Sequence, residues 1–494
     1  MRIIFIHQNM PGQYRGLMPY FAGKKENEVV AIGETDNIRR NFIQVPQGLK
    51  LLGYQMPKLK EYTGHPFLSS TDNYTYRGEA LARVLVDLKK QGFKPDVICS
   101  HPGWGESLYI KDVYPDTRLI NYCEFFYGAQ GRDFNFDSEF PERPQAEWNL
   151  RTRNAIQLLS LNSMDTGISP MQWQASSYPK EYQSLINVIH EGVDTKRVAP
   201  DPNASISLKG AGITLSAKDE VITFVSRNLE PYRGFHIFMR ALPELMAARP
   251  KARFLIVGGD EVSYGKTLSN GTYRQMALNE VGSRLDMARV HFLGKIPYSD
   301  YLRVLQISTA HVYLTYPFVL SWSMLEAMSA GCVIVGSRTP PVMEVLEHEK
   351  NGLLVDFFSP KEITETVIRV CESKNRMQEL RDAARRTITE KFDFETICLP
   401  QHINLVENRP LNSKGSVPRT VEIKPSGAMQ HDAKPASASI REAKPTASAP
   451  ILAKSVEAKQ VEAKSIDVKS VEMTSVDTKF MAKKPVVKPV KGKK

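Results

Sequence analysis

The sequence is short of cysteine, and the few it has are scattered. Its 494 residues include five, Cys99, Cys123, Cys332, Cys371 and Cys398. None stands in a CxxC pair or at another metal-ligand spacing, and the number is odd. That argues against a disulfide framework or a thiolate zinc site and fits thiols in a reducing cytosol. No window reaches the ~18 apolar residues that a membrane span needs. The opening run, Met1 to His7, is too short an apolar stretch for a signal peptide. A cytoplasmic protein is expected, with any membrane contact peripheral, on the inner face. Asp-x-Asp does not occur, so no metal site for a diphosphate is expected. GxxxxGKS/T and GxSxG are also missing, which argues against a P-loop NTPase and a serine-elbow hydrolase.

Aromatic residues run out at one end. After Pro410 the only one is Phe480. A five-residue period appears there, from Lys454-Ser-Val-Glu-Ala to Thr474-Ser-Val-Asp-Thr. Five matches neither a helical nor a strand repeat, so no face can be buried. Residues 411–494 are expected to be disordered. The net charge of +11 invites a nucleic-acid reading, but this tail holds 17 basic against 8 acidic residues, and so +9 of the total. The remainder is near neutral, and no nucleic-acid partner is expected. The basic end, MAKKPVVKPVKGKK, could touch an anionic membrane.

The first 405 residues read differently. Their length is too great for one core, and short apolar runs alternate with helical patterns. Runs at 2–6, 28–32, 96–100, 118–123, 165–170 and 186–194 form one set. A second set begins near 220, with runs at 221–226, 252–259, 290–294, 311–316 and 332–337. The alternation predicts parallel βαβ units in two α/β domains of similar size, 1–195 and 196–405. Ligands of such sheets bind beyond the carboxyl ends of the strands, so two facing domains would line a cleft.

Within FVLSWSMLEAMSAG (318–331) one carboxylate, Glu326, sits among apolar residues. No Lys or Arg lies three or four positions away, and a buried carboxylate needs polar partners. Ser321 is placed to cap a short helix and Gly331 to stop it. The N-terminus of that helix would face the cleft and suit a phosphate. Glu326, one turn in, would then accept hydrogen bonds from the two hydroxyls of a ribose, or else pair with a distant arginine. In SRNLEPYRGF (226–235), Arg227 and Arg233 follow a strand. Two guanidiniums in such a loop suit a diphosphate, or are surface arginines. Gly12 follows the first strand, where backbone could approach a ligand. His101 and Glu124 stand at strand ends, as site residues or as polar caps.

Together these residues resemble glycosyltransferase family 4, the retaining GT-B enzymes, over most of 1–405. FVSRNLEPYRGF resembles the family's donor loop, with Arg233 where Lys is usual. VHFLGKIPYSDYLRVL, turning at Gly294, resembles the strand, loop and helix that frame the nucleotide base. SMLEAMSAGCVIVGSRTPPVMEVLEHEKNGLLV is similar to the family signature, and VIHEGVDT to its interdomain VIPNGVD. The opening HQNMPGQYRGL resembles a bacterial subgroup often found among surface-polysaccharide genes.

The resemblance implies a GT-B fold, with two Rossmann-like doubly wound domains facing a cleft. It implies a nucleotide-diphosphate sugar donor, such as a UDP- or GDP-sugar, no further cofactor, and a glycan or lipid-linked acceptor. Glu326 matches the ribose-binding Glu of the E-x7-E motif, with Ser321 at the head of its helix. Arg227 and Arg233 match the diphosphate-binding pair, and Gly12 the acceptor-side glycine loop. Glu124 and His101 fall near the family's catalytic-region histidine. The first Glu of E-x7-E is replaced by Phe318. A degenerate GT-B protein that binds nucleotide or glycan without turnover, or a sugar-nucleotide epimerase, are the alternative readings.

Overall fold

The computed structural model describes residues 1–410 except Ile43, Lys60 and the side chains of Lys374 and Asn375; the expected disordered tail, 411–494, lies outside the described residues. Ile3, Ile4, Phe5 and Ile6 have no solvent exposure. A parallel strand covered on both faces takes apolar side chains at every position. This run forms β1 (Arg2–Ile6), an inner strand of a seven-stranded parallel sheet. The sheet continues with β2 (Glu28–Glu34), β3 (Leu49–Tyr54), β4 (Val97–Ser100), β5 (Arg118–Tyr122), β6 (Thr166–Ser169) and β7 (Ile186–Val188), in the order 3-2-1-4-5-6-7.

A small antiparallel hairpin, β8 (Ser205–Leu208) and β9 (Ile213–Ser216), precedes the second sheet. That sheet holds six parallel strands: β10 (Val221–Asn228), β11 (Arg253–Gly259), β12 (Val290–Gly294), β13 (Ala310–Tyr313), β14 (Ile334–Ser337) and β15 (Leu353–Val355). Its order is 12-11-10-13-14-15. Strand order therefore reverses beside β1 and beside β10, the places where doubly wound sheets bind ligands. The expected class, two Rossmann-like domains of the GT-B type, is the one observed.

The chain passes between the domains twice, side by side. Val193 donates its N–H to Phe392 O at 2.8 Å, and Phe394 donates to Val193 O at 2.8 Å. After the second passage the helix Leu399–Val406 packs Leu399, Leu405 and Val406 into the first domain, against Leu17, Met18 and Phe21. Arg118 donates to Leu405 O at 2.6 Å. The end of the expected second domain (196–405) thus belongs structurally with the first.

The segment after β5 crosses in the other direction. Residues 125–142 lie over the second domain as a strap. Phe125 meets Phe318 with ring centroids 4.8 Å apart, and Phe136 meets Phe357 at 5.3 Å. Tyr232 donates to Asp133 at 2.9 Å and Tyr316 to Asp137 at 2.8 Å. Arg240 grips both oxygens of Glu139 at 2.7 Å each. No described helix is long and apolar enough to cross a membrane.

Candidate functional site

Ser321 caps the helix Trp322–Ser329, its hydroxyl accepting from Ser323 N–H at 3.3 Å. Gly331 ends the segment at φ +85°, a left-handed turn that costs glycine least. Glu326 is buried on this helix. Its two oxygens accept from Tyr298 at 2.8 Å and Tyr301 at 2.7 Å. Both phenols come from the helix Tyr298–Gln306, which follows β12. Burial first, then the Glu326 charge, raises the pKa of each tyrosine. Among the described residues no arginine pairs with this carboxylate; it holds two phenols, one of them partly exposed.

Glu326 and Tyr298 line a cavity of about 440 Å³ between the domains, with Arg15, Tyr122, Glu191 and Arg197 among the other walls. Glu191 links the two sides. It accepts from the Tyr122 hydroxyl at the end of β5 and from Trp322 Nε1 at 3.1 Å. Burial pushes its carboxyl up from 4.5 to about 7. Arg15 lies over the Trp322 ring at 4.2 Å and Arg197 over the Tyr298 ring at 4.6 Å.

Arg227 and Arg233 do not line this cavity. Arg233 is buried and donates to Thr315 Oγ1 at 2.7 Å and Val319 O at 3.1 Å. Its Nη1 lies 3.5 Å from the Tyr313 hydroxyl, which accepts from Ser321 N–H at 2.8 Å. The guanidinium thus braces the loop that leads into the Glu326 helix. Gly234 follows at φ +67°, where a Cβ would meet the Leu314 side chain at 2.4 Å. Arg227 is exposed at the end of β10.

His101 and Glu124, a strand apart in sequence, do come together: His101 Nε2 is 3.5 Å from Glu124 Oε2. The His101 ring stacks on Trp104 at 4.3 Å, and its Nδ1 accepts from Gly103 N–H at 3.1 Å. Gln13 reaches the other Glu124 oxygen at 3.3 Å. His7 completes the group, its ring 5.2 Å from that of His101. Burial, then the neighbouring His101, lowers the His7 pKa. Gly12, at φ +52°, is the residue this packing allows, since a Cβ there would lie 2.6 Å from the His7 ring. Gly294 ends β12 at φ +65°, and a Cβ there would meet nothing within 4 Å.

Phe318 occupies an aromatic enclosure made by Phe125, Tyr127, Tyr232 and Tyr264. Among the described residues, Asp137, Glu139 and His236 bring three ligand-type atoms within 4.8 Å of one another. Glu139 is already held by Arg240, and Asp137 by Tyr316 and by His236 at 3.0 Å. This group ties the strap down and stands apart from the Glu326 cavity.

Sequence reasoning missed Arg15, Glu191, Arg197, Tyr298, Trp322 and His7. His7 had a signal, as the first polar residue after a buried strand. Tyr298 and Tyr301 had one too, spaced to share a helix face, but nothing local joined them to Glu326.

The family model described as "Glycosyl transferase family 4 group" matches residues 25–198, and "Glycosyl transferases group 1" matches 211–387. The first match covers β2 to β7 and the second covers all six strands of the other sheet. The chain belongs to the group 1, family 4 glycosyltransferases. This glycosyltransferase is 24% identical over 321 residues to spore coat protein SA of Bacillus subtilis, covering 64% of this chain and 78% of the relative. It is 27% identical over 180 residues to a D-inositol 3-phosphate glycosyltransferase of Corynebacterium jeikeium, covering 36% of this chain and 41% of the relative. In fold it is similar to sucrose-phosphate synthase of Thermosynechococcus elongatus, with a TM-score of 0.64 at 16% identity, over 83% of this chain and 99% of the other. HepE of Anabaena, solved with UDP and glucose, gives 0.56 at 16% identity over 83% and 100%.

Proposed function

We propose that this glycosyltransferase moves a sugar from a nucleotide-diphosphate donor, a UDP- or GDP-sugar, to a glycan or lipid-linked acceptor, with retention at the anomeric carbon and without a metal ion. Surface polysaccharide synthesis is the proposed setting. The observation that carries the reading is Glu326 in a cavity between two doubly wound domains, one turn inside a capped helix. A ribose would exchange its hydroxyls for one or both phenols on that carboxylate. The helix N-terminus, the positive end of its dipole, would face the leaving diphosphate. Gly294, with open space beside its α-carbon, leaves room for the base.

Arg227, exposed at the strand end, is proposed to contact the diphosphate directly. Arg233 is proposed to act through the loop it braces. His101 and Glu124, with Gln13 and His7, lie on the acceptor side, where Glu124 is proposed to meet an acceptor hydroxyl. In a same-face reaction the departing phosphate takes the acceptor's proton, so no carboxylate nucleophile is required at position 318. Preorganised donors at the leaving group each supply roughly 3–4 kcal/mol to such a step. The basic tail is proposed to hold the enzyme at an anionic membrane surface, on its charge alone.

A second reading, binding without turnover, is favoured by one observation: Phe318, at the place of the first Glu of the E-x7-E pattern, is enclosed by four aromatic rings. Incubation with a nucleotide-sugar panel and glycan acceptors, with proton NMR of the product, separates the two. The expected product keeps the donor's anomeric configuration and forms equally well in EDTA. An inverted product, or activity lost in EDTA and restored by Mn²⁺, contradicts the mechanism; binding without product supports the second reading.

A further inference from the structure

Arg15 and Arg197 approach the Glu326 cavity from different segments, the loop after β1 and the interdomain passage. Each places its Cζ over an aromatic ring of the opposing wall, Trp322 at 4.2 Å and Tyr298 at 4.6 Å from the ring centroid. A guanidinium held over a ring by cation–π attraction can still offer its N–H groups to a bidentate acceptor. Both are exposed, and both line the same cavity. Each charge also reaches Tyr298, opposing the rise that burial and Glu326 cause in that phenol.

The nearby carboxylates are committed elsewhere. Glu326 takes two phenols. Glu191 takes Tyr122 and Trp322. Asp194 accepts the backbone N–H of Arg197 at 3.0 Å. Among the described residues neither guanidinium forms an ion pair. Two arginines without an ion pair, both lining this cavity, call for a small anion with several oxygens.

We propose that Arg15 and Arg197 together bind a phosphoryl group in this cavity. The inference deepens the donor reading, since the phosphoryl group would come from the nucleotide diphosphate or from a phosphate on an anionic acceptor. Neither arginine belongs to the Arg227/Arg233 loop, so this is a second phosphate contact.

Calorimetric titration of the full chain tests it, with inorganic pyrophosphate, UDP, GDP and their nucleosides as probes. Arg15→Gln and Arg197→Gln are each expected to weaken pyrophosphate binding roughly 10- to 100-fold, as loss of a charged hydrogen-bonding pair does. Arg15→Lys and Arg197→Lys, which keep the charge, should recover part of it, and unchanged unfolding midpoints show that the variants fold. A matching loss for UDP or GDP, with nucleosides unaffected and pyrophosphate displaced by nucleotide, assigns the group to the donor. Arginine-dependent pyrophosphate binding that persists under saturating nucleotide assigns it to the acceptor. Arginine-dependent pyrophosphate binding with no nucleotide binding leaves the phosphoryl site standing and removes the donor reading. Pyrophosphate that fails to bind, or binds wild type and variants alike, overturns the proposal.

Discussion

Glu326 ends between two phenols, and that pairing decides what its neighbours are worth. Replacing Tyr301 by Phe leaves one buried oxygen without a donor, which costs about 1–3 kcal/mol. Tyr298 is more exposed, so water can replace its hydroxyl and Tyr298→Phe should cost less. Urea denaturation of the two variants checks the order; a neutral Tyr301→Phe would mean the pair is not structural. Glu191 makes a pH-dependent contribution. Its folded pKa is raised from 4.5 to about 7 by burial, so the native state holds a proton that the unfolded state has released. The stability of the neutral form is fully present below about pH 4.5 and is lost as pH rises through about 7. Glu191→Gln keeps an acceptor for Tyr122 and should flatten the fall in stability across that window. Parallel curves for wild type and variant would count against this assignment.

At the scale of elements, legibility followed burial. β1 was readable because a doubly covered parallel strand must be apolar throughout. The Glu326 helix was readable from Ser321 and Gly331, which mark its ends by local chemistry. β3 was missed because it is the outermost strand, with only Leu49 and Tyr54 fully buried. The β8–β9 hairpin was missed because only every second residue of β8 is buried, a pattern that polar loop composition hides. The strap was illegible, since each of its anchors, such as Asp137 on Tyr316, joins residues far apart in sequence. The same distance hid the phenols on Glu326 and the aromatic enclosure of Phe318. That enclosure makes a prediction: Phe318→Glu, which would complete the E-x7-E pattern, should destabilise the protein. A carboxylate there would be buried among four aromatic rings, a cost of several kcal/mol unless it protonates. Thermal unfolding measures it, and an unchanged midpoint would show that the enclosure opens easily.

At the scale of the molecule, two side-by-side chain passages, the returning helix Leu399–Val406 and the strap join the domains around the Glu326 cavity. The sequence placed Glu326 in a cleft but not beside Arg15, Glu191 and Arg197, because only the assembled domains bring those segments together. It also grouped Arg227 and Arg233, whereas the fold leaves one exposed and buries the other beneath a loop. The central claim is that a nucleotide-diphosphate sugar binds at this cavity through Glu326. Calorimetric titration of the full chain with UDP-, GDP-, ADP- and dTDP-sugars, for wild type and Glu326→Ala, tests it most directly. The account predicts that at least one donor binds wild type and binds the variant roughly tenfold or more weakly, since a charge-assisted contact is lost. Failure of every donor to bind wild type, or equal affinity in the variant, would contradict it.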